Sequence, residues 1–342
     1  MMHTPGDNTT RQPVIRLIAA ALWGASLCAP ALAQQAWKIG TVVAPPSMLG
    51  IIVDEGAASL KNTTGGRVLA ERHQIANEQE ITQNLIRGRI EMGYISATGL
   101  AVAVPEMGVL NTPYLWTSGK ERDYVSDKFV APFLEGLLAS KGLTLVKAAE
   151  TGWTNLFCKT ACTTPDKMKG MKMRVSPTAA AKMFSERMGT NGVGMSLADF
   201  YPALQQGVVD AGDLTFSFYL IGPAAQAAPH YVFTRHNHQP AFWLAHKATW
   251  DKLVPADQAA IVKGLPSTVE VRARVSADEA RKIDQFKARG GFPHELTDAQ
   301  RAEWAKVVVP GQKGLIDSFG GRAKELFEVI QKGKNEFSAL KI

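Results

Sequence analysis

Apolar positions along the chain switch repeatedly between the period of a strand and that of an amphipathic helix. Trp37 to Val43 reads as a strand ended by Pro45-Pro46, and Ser47 then caps a helix in which Leu49, Ile52, Val53 and Leu60 recur at helical spacing. The cycle repeats with a strand from Arg67 to His73, a helix from Glu78 to Arg87 carrying Ile81, Leu85 and Ile86, a stop at Gly88, and a strand from Ile90 to Ser96. Past Pro113-Tyr114, a helical stretch from about Lys120 to Ser140 leads into Leu143 to Cys158, which is long for one strand. A second unit starts over: a strand from Met171 to Val175, a helix from Thr178 to Met188, and a short strand from Gly192 to Met195. Ser196 then caps a helix, with Asp199 placed to return the capping hydrogen bond. Gly207 ends that helix, and Val208 to Gly212 returns as a strand. Toward the C-terminus, Pro255 to Lys263 and the long polar Ser267 to Arg289 are helical, and the tail from Asp298 adds helices broken at Pro310 and Gly320-Gly321.

This alternation predicts an α/β fold with largely parallel strands, and open sheets of that kind bind ligands at the carboxyl ends of their strands. The N-terminal stretch stands apart from it. Arg11 and Arg16 stand at the head of the apolar stretch from Val14 to Leu27, and Ala31-Leu32-Ala33 supplies small residues for cleavage. Residues 1–33 are thus expected to be a signal peptide cut after Ala33, so that the mature protein is exported. The apolar stretch is shorter than the ~20 residues of a spanning helix, and Leu27 before Cys28 argues against a lipoprotein. About 300 residues remain, more than one core usually organises, so two lobes are expected.

Export also changes the reading of the cysteines. Without Cys28, only Cys158 and Cys162 remain, an even pair in an oxidising compartment, which predicts one disulfide. No histidine or third cysteine stands near them, so no metal is expected. The net charge of +7 is spread among acidic residues without a basic run, which speaks for solubility and against a nucleic-acid partner.

Enzyme signatures are missing: no Gly-x-Ser-x-Gly, His-Glu-x-x-His, Gly-x-Gly-x-x-Gly or phosphate loop occurs, and no cofactor is implied. His236-Asn237-His238 alternates along an expected strand, which puts both imidazoles on one face, suited to packing or hydrogen bonding. The informative segment is Pro165 to Val175, which leads to Arg174 at the far end of a short apolar strand. A planar guanidinium there can hold a carboxylate through two parallel hydrogen bonds. Phe216, Phe218, Trp243 and Trp153 are candidates to stack on a ligand tail, or else core aromatics.

Pro165 to Val175, followed by Ser196 to Asp213 with Phe200-Tyr201-Pro202-Ala203-Leu204-Gln205-Gln206-Gly207-Val208-Val209-Asp210, resembles the DctP-type binding proteins of TRAP (tripartite ATP-independent periplasmic) transporters. The likeness runs from Ile39 to about Leu253 and includes Gly88 to Tyr94 and Pro113-Tyr114-Leu115-Trp116. It implies a two-lobed periplasmic binding protein fold with mixed sheets, crossing strands and a long helix bridging both lobes. Lobe I is expected to hold residues 34–151 with about 240–279, and lobe II residues 152–239 with about 280–342. It also implies that Arg174 grips the ligand carboxylate.

Departures from the family pattern shape the rest of the pocket. Thr154 stands where the sialic-acid branch has a second arginine, and Asp213 and Leu214 replace the usual glutamate and asparagine. Fewer cations favour a monocarboxylate. Ser96, Leu197 and Val42 fall at positions implied to line the pocket, whose lining thus looks less polar than a sugar acid wants. Asp213 has two available roles, accepting from the ligand or orienting Arg174. The resemblance implies a monomeric, non-catalytic receptor that captures a small organic carboxylate and docks transiently on small and large TRAP membrane subunits. The alternatives are a receptor for another importer or sensor, or a secreted α/β hydrolase.

Overall fold

A computed structural model describes residues 34–340; the expected signal peptide, its cleavage after Ala33, and Cys28 lie outside the described residues. The strands are β1 (Gln35–Thr41), β2 (Val68–Gln74), β3 (Met92–Ser96), β4 (Leu143–Cys158), β5 (Lys172–Val175), β6 (Asn191–Gly194), β7 (Ala211–Thr215), β8 (His230–His246) and β9 (Phe292–Glu295). Among the described residues they form one sheet in the order β2-β1-β3-β8-β4-β7-β5-β6, with β9 beside β8. The two flanks are parallel, as the alternation predicts. The centre is not: β8 runs antiparallel to β3 and β4, and β4 antiparallel to β7. The sheet is therefore mixed, joined across its middle by the two longest strands.

Both of these strands are irregular where they need to turn. The pairing shifts between Glu150, opposite Pro240, and Gly152, opposite Gln239, and Gly152 takes the left-handed φ of 106° that glycine adopts without strain. Farther along, Leu156 pairs with Val232 but Thr154 pairs with Asn237, so β8 bulges outward around Arg235, whose φ is 44°. The Arg235 N–H donates to the buried Asn155 Oδ1 at 2.8 Å, which holds the bulge in place. The bulge breaks the alternation, so the shared face predicted for His236 and His238 does not form. His238 turns to Glu150 at 3.2 Å, while His236 turns to Asp213.

The stretch from about Lys120 divides into helices Gly119–Val125 and Ala131–Ala139 around a π turn, Ser126–Val130. Pro132 lacks an N–H, and a widened turn before it relieves the clash its ring would cause. β7 begins three residues later than the pattern suggests because Val208 N–H bonds back to Ala203 and prolongs the helix end. The helix Thr268–Ala288 spans 21 residues, capped by the Ser267 hydroxyl. Cys158 and Cys162 are joined by a disulfide. Among the described residues no helix is long and apolar enough to cross a membrane.

The tail departs from its expected place. Residues 280–342 are assigned to lobe II by the resemblance, yet Ile316, Ala323, Leu326 and Ile330 share a buried core with Val125, Leu134 and Phe242 of the first unit. Lys334 Nζ donates to Leu115 O at 2.6 Å, and Gln312 Nε2 to Pro113 O at 2.7 Å. The helices Gln312–Phe319 and Ala323–Ala339 present small and aliphatic residues that this core absorbs.

Candidate functional site

A cleft of about 900 Å³, measured to its open mouth, lies between the ends of β5 and β7 on one side and the helix starting at Glu78 on the other. On β5 the side chains alternate, and Arg174 is the one carried into this cleft, 4% exposed. Its guanidinium stands over the Phe200 ring at 5.8 Å. Asp213 of β7 is the nearest carboxylate, with Oδ1 4.0 Å from Nη1, at the outer limit of an ion pair. Neither Arg174 Nε nor Asp213 Oδ1 has a hydrogen-bond partner. Burial pulls the Arg174 pKa down from its ordinary value, and the charge of Asp213 and the phenol of Tyr201 only oppose it. The cation is therefore withdrawn from water without a tight counter-ion, and unsatisfied charge at such a position is costly.

Asp213 Oδ2 lies 3.4 Å from His236 Nε2, and His236 Nδ1 lies 2.7 Å from Thr234 Oγ1. A carboxylate only accepts, so the imidazole donates from Nε2, and its Nδ1 meets the Thr234 hydroxyl. The ring stacks on Phe184 at 4.2 Å. On the opposite wall, Glu78 follows the capping residue Asn77 and accepts from Ser96 N–H at 2.8 Å and Ser96 Oγ at 2.5 Å. Burial raises the Glu78 pKa, with both Ser96 hydrogen bonds acting the other way.

Of the residues singled out in the sequence, Val42, Ser96, Thr154, Arg174, Leu197, Asp213 and Leu214 line the cleft together. Trp153, Phe216 and Trp243 do not. Trp153 alternates away from Thr154 on β4 and packs between Arg122, 5.4 Å away, and His238. Phe216 belongs to a buried aromatic cluster with Tyr219, Tyr231 and Phe286, and Trp243 meets Tyr94 edge-on at 5.0 Å. Phe218 is the candidate aromatic that reaches the lining. Asn111, Asn237, Gln239, Thr98 and Glu78 also reach the cleft, which makes it more polar than the sequence suggests. They come from separate stretches of the sequence, and only the packing of the helix Glu78–Ile86, the end of β3, the turn at Asn111 and β8 assembles them. Among the described residues no group of three or more His, Cys, Asp or Glu is placed to hold a metal ion.

Comparison with known proteins agrees with this architecture. Residues 39–314 match the DctP family model, bacterial extracellular solute-binding protein, family 7. A solute-binding protein of Verminephrobacter eiseniae is 27% identical over 308 residues, covering 89% of this chain and 91% of that protein. The C4-dicarboxylate-binding periplasmic protein DctP of Rhodobacter capsulatus is 25% identical, covering 91% of this chain and 96% of its own length. The crystal structure of a sugar acid binding protein of Advenella mimigardefordensis with galactonate superposes with a TM-score of 0.81 at 20% identity, over 88% of this chain and 99% of that one. It shares the two-lobed fold of TRAP periplasmic binding proteins. The chain therefore belongs to the DctP family, solute-binding proteins that carry a ligand rather than transform it.

Proposed function

We propose that this protein captures a small organic monocarboxylate, with Arg174 as its anchor, and delivers it to the small and large membrane subunits of a TRAP permease. In this reading it is exported by a signal peptide cleaved after Ala33 and acts as a periplasmic monomer. The observation that carries the proposal is the buried guanidinium with its unpartnered Nε at the cleft wall. A carboxylate would accept two parallel hydrogen bonds from it and cancel the burial cost. Arg174 is the only lysine or arginine among the described lining residues, so a second ligand carboxylate would find no cation. The named ligands of the relatives, C4-dicarboxylates in one and galactonate in the other, have a carboxylate in common.

The proposed lobes divide at the irregularity of β4 and β8. Residues 34–151 and about 240–279 form lobe I, joined by the tail from about 312, and residues 152–239 with about 280–311 form lobe II. The register shift between Glu150 and Gly152, opposite Pro240 and Gln239, supports this boundary. Mass spectrometry of ligand released from freshly purified protein tests the assignment. An acid with a single carboxylate is expected; a dicarboxylate or a non-acidic solute contradicts it.

A further inference from the structure

The unpartnered polar atoms of the cleft are not divided evenly between donors and acceptors. Setting aside Arg174 Nε and the hydroxyl of Thr215, which can play either part, the buried lining atoms without a partner are Asn111 Oδ1, Asp213 Oδ1 and Asn237 Oδ1. All three are oxygens. Asn111 Nδ2 and Gln239 Nε2 both donate to Thr98 Oγ1, at 3.2 and 2.6 Å. Thr98 thus takes one of the two N–H donors of the Asn111 carboxamide, while the carboxamide oxygen has no partner, on a residue only 1% exposed. Glu78 adds a carboxyl whose known partners, Ser96 N–H and Oγ, are both on the same wall. A buried acceptor without a donor costs about as much as a lost hydrogen bond.

We propose that Asn111, Asn237 and Asp213 form a subsite for ligand hydroxyl groups, so that the solute is a hydroxylated monocarboxylate. This rests on the reading of Arg174 as carboxylate anchor and adds a requirement at the remainder of the ligand. Hydroxyls donate to the three oxygens while the carboxylate takes the guanidinium. A plain alkyl tail leaves the oxygens unpaired, and a second carboxylate sets acceptor against acceptor beside Asp213 and Glu78.

Titration calorimetry on the full mature protein tests this with two matched series: butyrate, 2,3,4-trihydroxybutyrate and succinate, then hexanoate, gluconate and adipate. In at least one series the hydroxylated acid is expected to bind about tenfold or more tighter than both of its counterparts, the effect of one or two well-formed hydrogen bonds. Plain acids or diacids that bind as tightly in both series overturn the hydroxyl subsite and leave the carboxylate anchor standing. A panel in which no acid binds overturns both. Asn111→Ala and Asn237→Ala, made separately, are each expected to cut the preference for the hydroxylated acid over the plain one about tenfold. An unchanged preference in both variants overturns the assignment, even where overall affinity has dropped through structural damage.

Discussion

Arg174 and Gly50 illustrate the two ways a single residue is constrained here, by charge and by space. Arg174 is buried with its nearest carboxylate at 4.0 Å, a position that favours a ligand anion over internal pairing. Gly50 is buried in the first turns of the helix Met48–Thr63, where its N–H donates to the Ser47 hydroxyl at 3.0 Å. A Cβ there would run into the backbone of Ala44 and Pro45, which cannot swing aside. Gly50→Ala is therefore expected to destabilise the protein by about 3 kcal/mol in urea unfolding, and a loss below about 1 kcal/mol would contradict the close approach. Arg174 was legible in the sequence because a strand of four residues has few places to put a charge and the flanking motif is distinctive. Asn111, Asn237 and Glu78 were not, since nothing local separates a polar residue facing a cleft from one facing water.

At the scale of elements, strands and helices with clean periodicity were readable, and those shaped by tertiary contacts were not. β4 and the helix Thr268–Ala288 emerge from their length and pattern, whereas β8 hides behind the polar run His236-Asn237-His238-Gln239 and its own bulge. The long helix carries one group that makes the fold sensitive to pH. Burial pushes the Glu279 carboxyl up to about 7; Arg235 opposes this, while Glu295 and Glu150 add to it. Its folded pKa lies above the unfolded value of about 4.3, so the protonated form is favoured in the fold. That contribution is fully present below about pH 4 and is lost as pH rises through 7. Glu279→Gln, which cannot ionise, is expected to gain about 1–2 kcal/mol over the wild type at pH 8 and little at pH 4.5, read from urea unfolding at the two pH values. An equal change at both would contradict the burial of this carboxyl. The gain stays below the full linkage value because Glu279 is half-buried and water screens part of its charge.

For the whole molecule, the long helix and the two long strands decide how the halves are held. Arg272 on that helix forms a two-pronged pair with Asp127, at 2.7 and 2.8 Å, and lies 3.7 Å from Glu150 Oε2. Burial alone would raise the Glu150 pKa, but the hydrogen bond and charge of His238, with Arg122 and Arg272, hold it at about 2. This network lies next to the β4 irregularity at Glu150 and Gly152, the proposed boundary between the lobes. Two lobes were predictable from chain length and from Leu143 to Cys158, a stretch long for one strand. The destination of the tail was not, because its amphipathic helices fit any apolar core and only the complete fold selects one.

In the proposed function, capture of a carboxylate depends on Arg174, and titration of the wild type and Arg174→Gln with the tightest-binding acid measures it directly. Glutamine keeps much of the volume and a donor while removing the charge and the bidentate geometry. The account predicts a loss of at least about 30-fold in affinity, equivalent to about 2 kcal/mol, in a variant that still melts cooperatively. Binding within twofold of the wild type would contradict it.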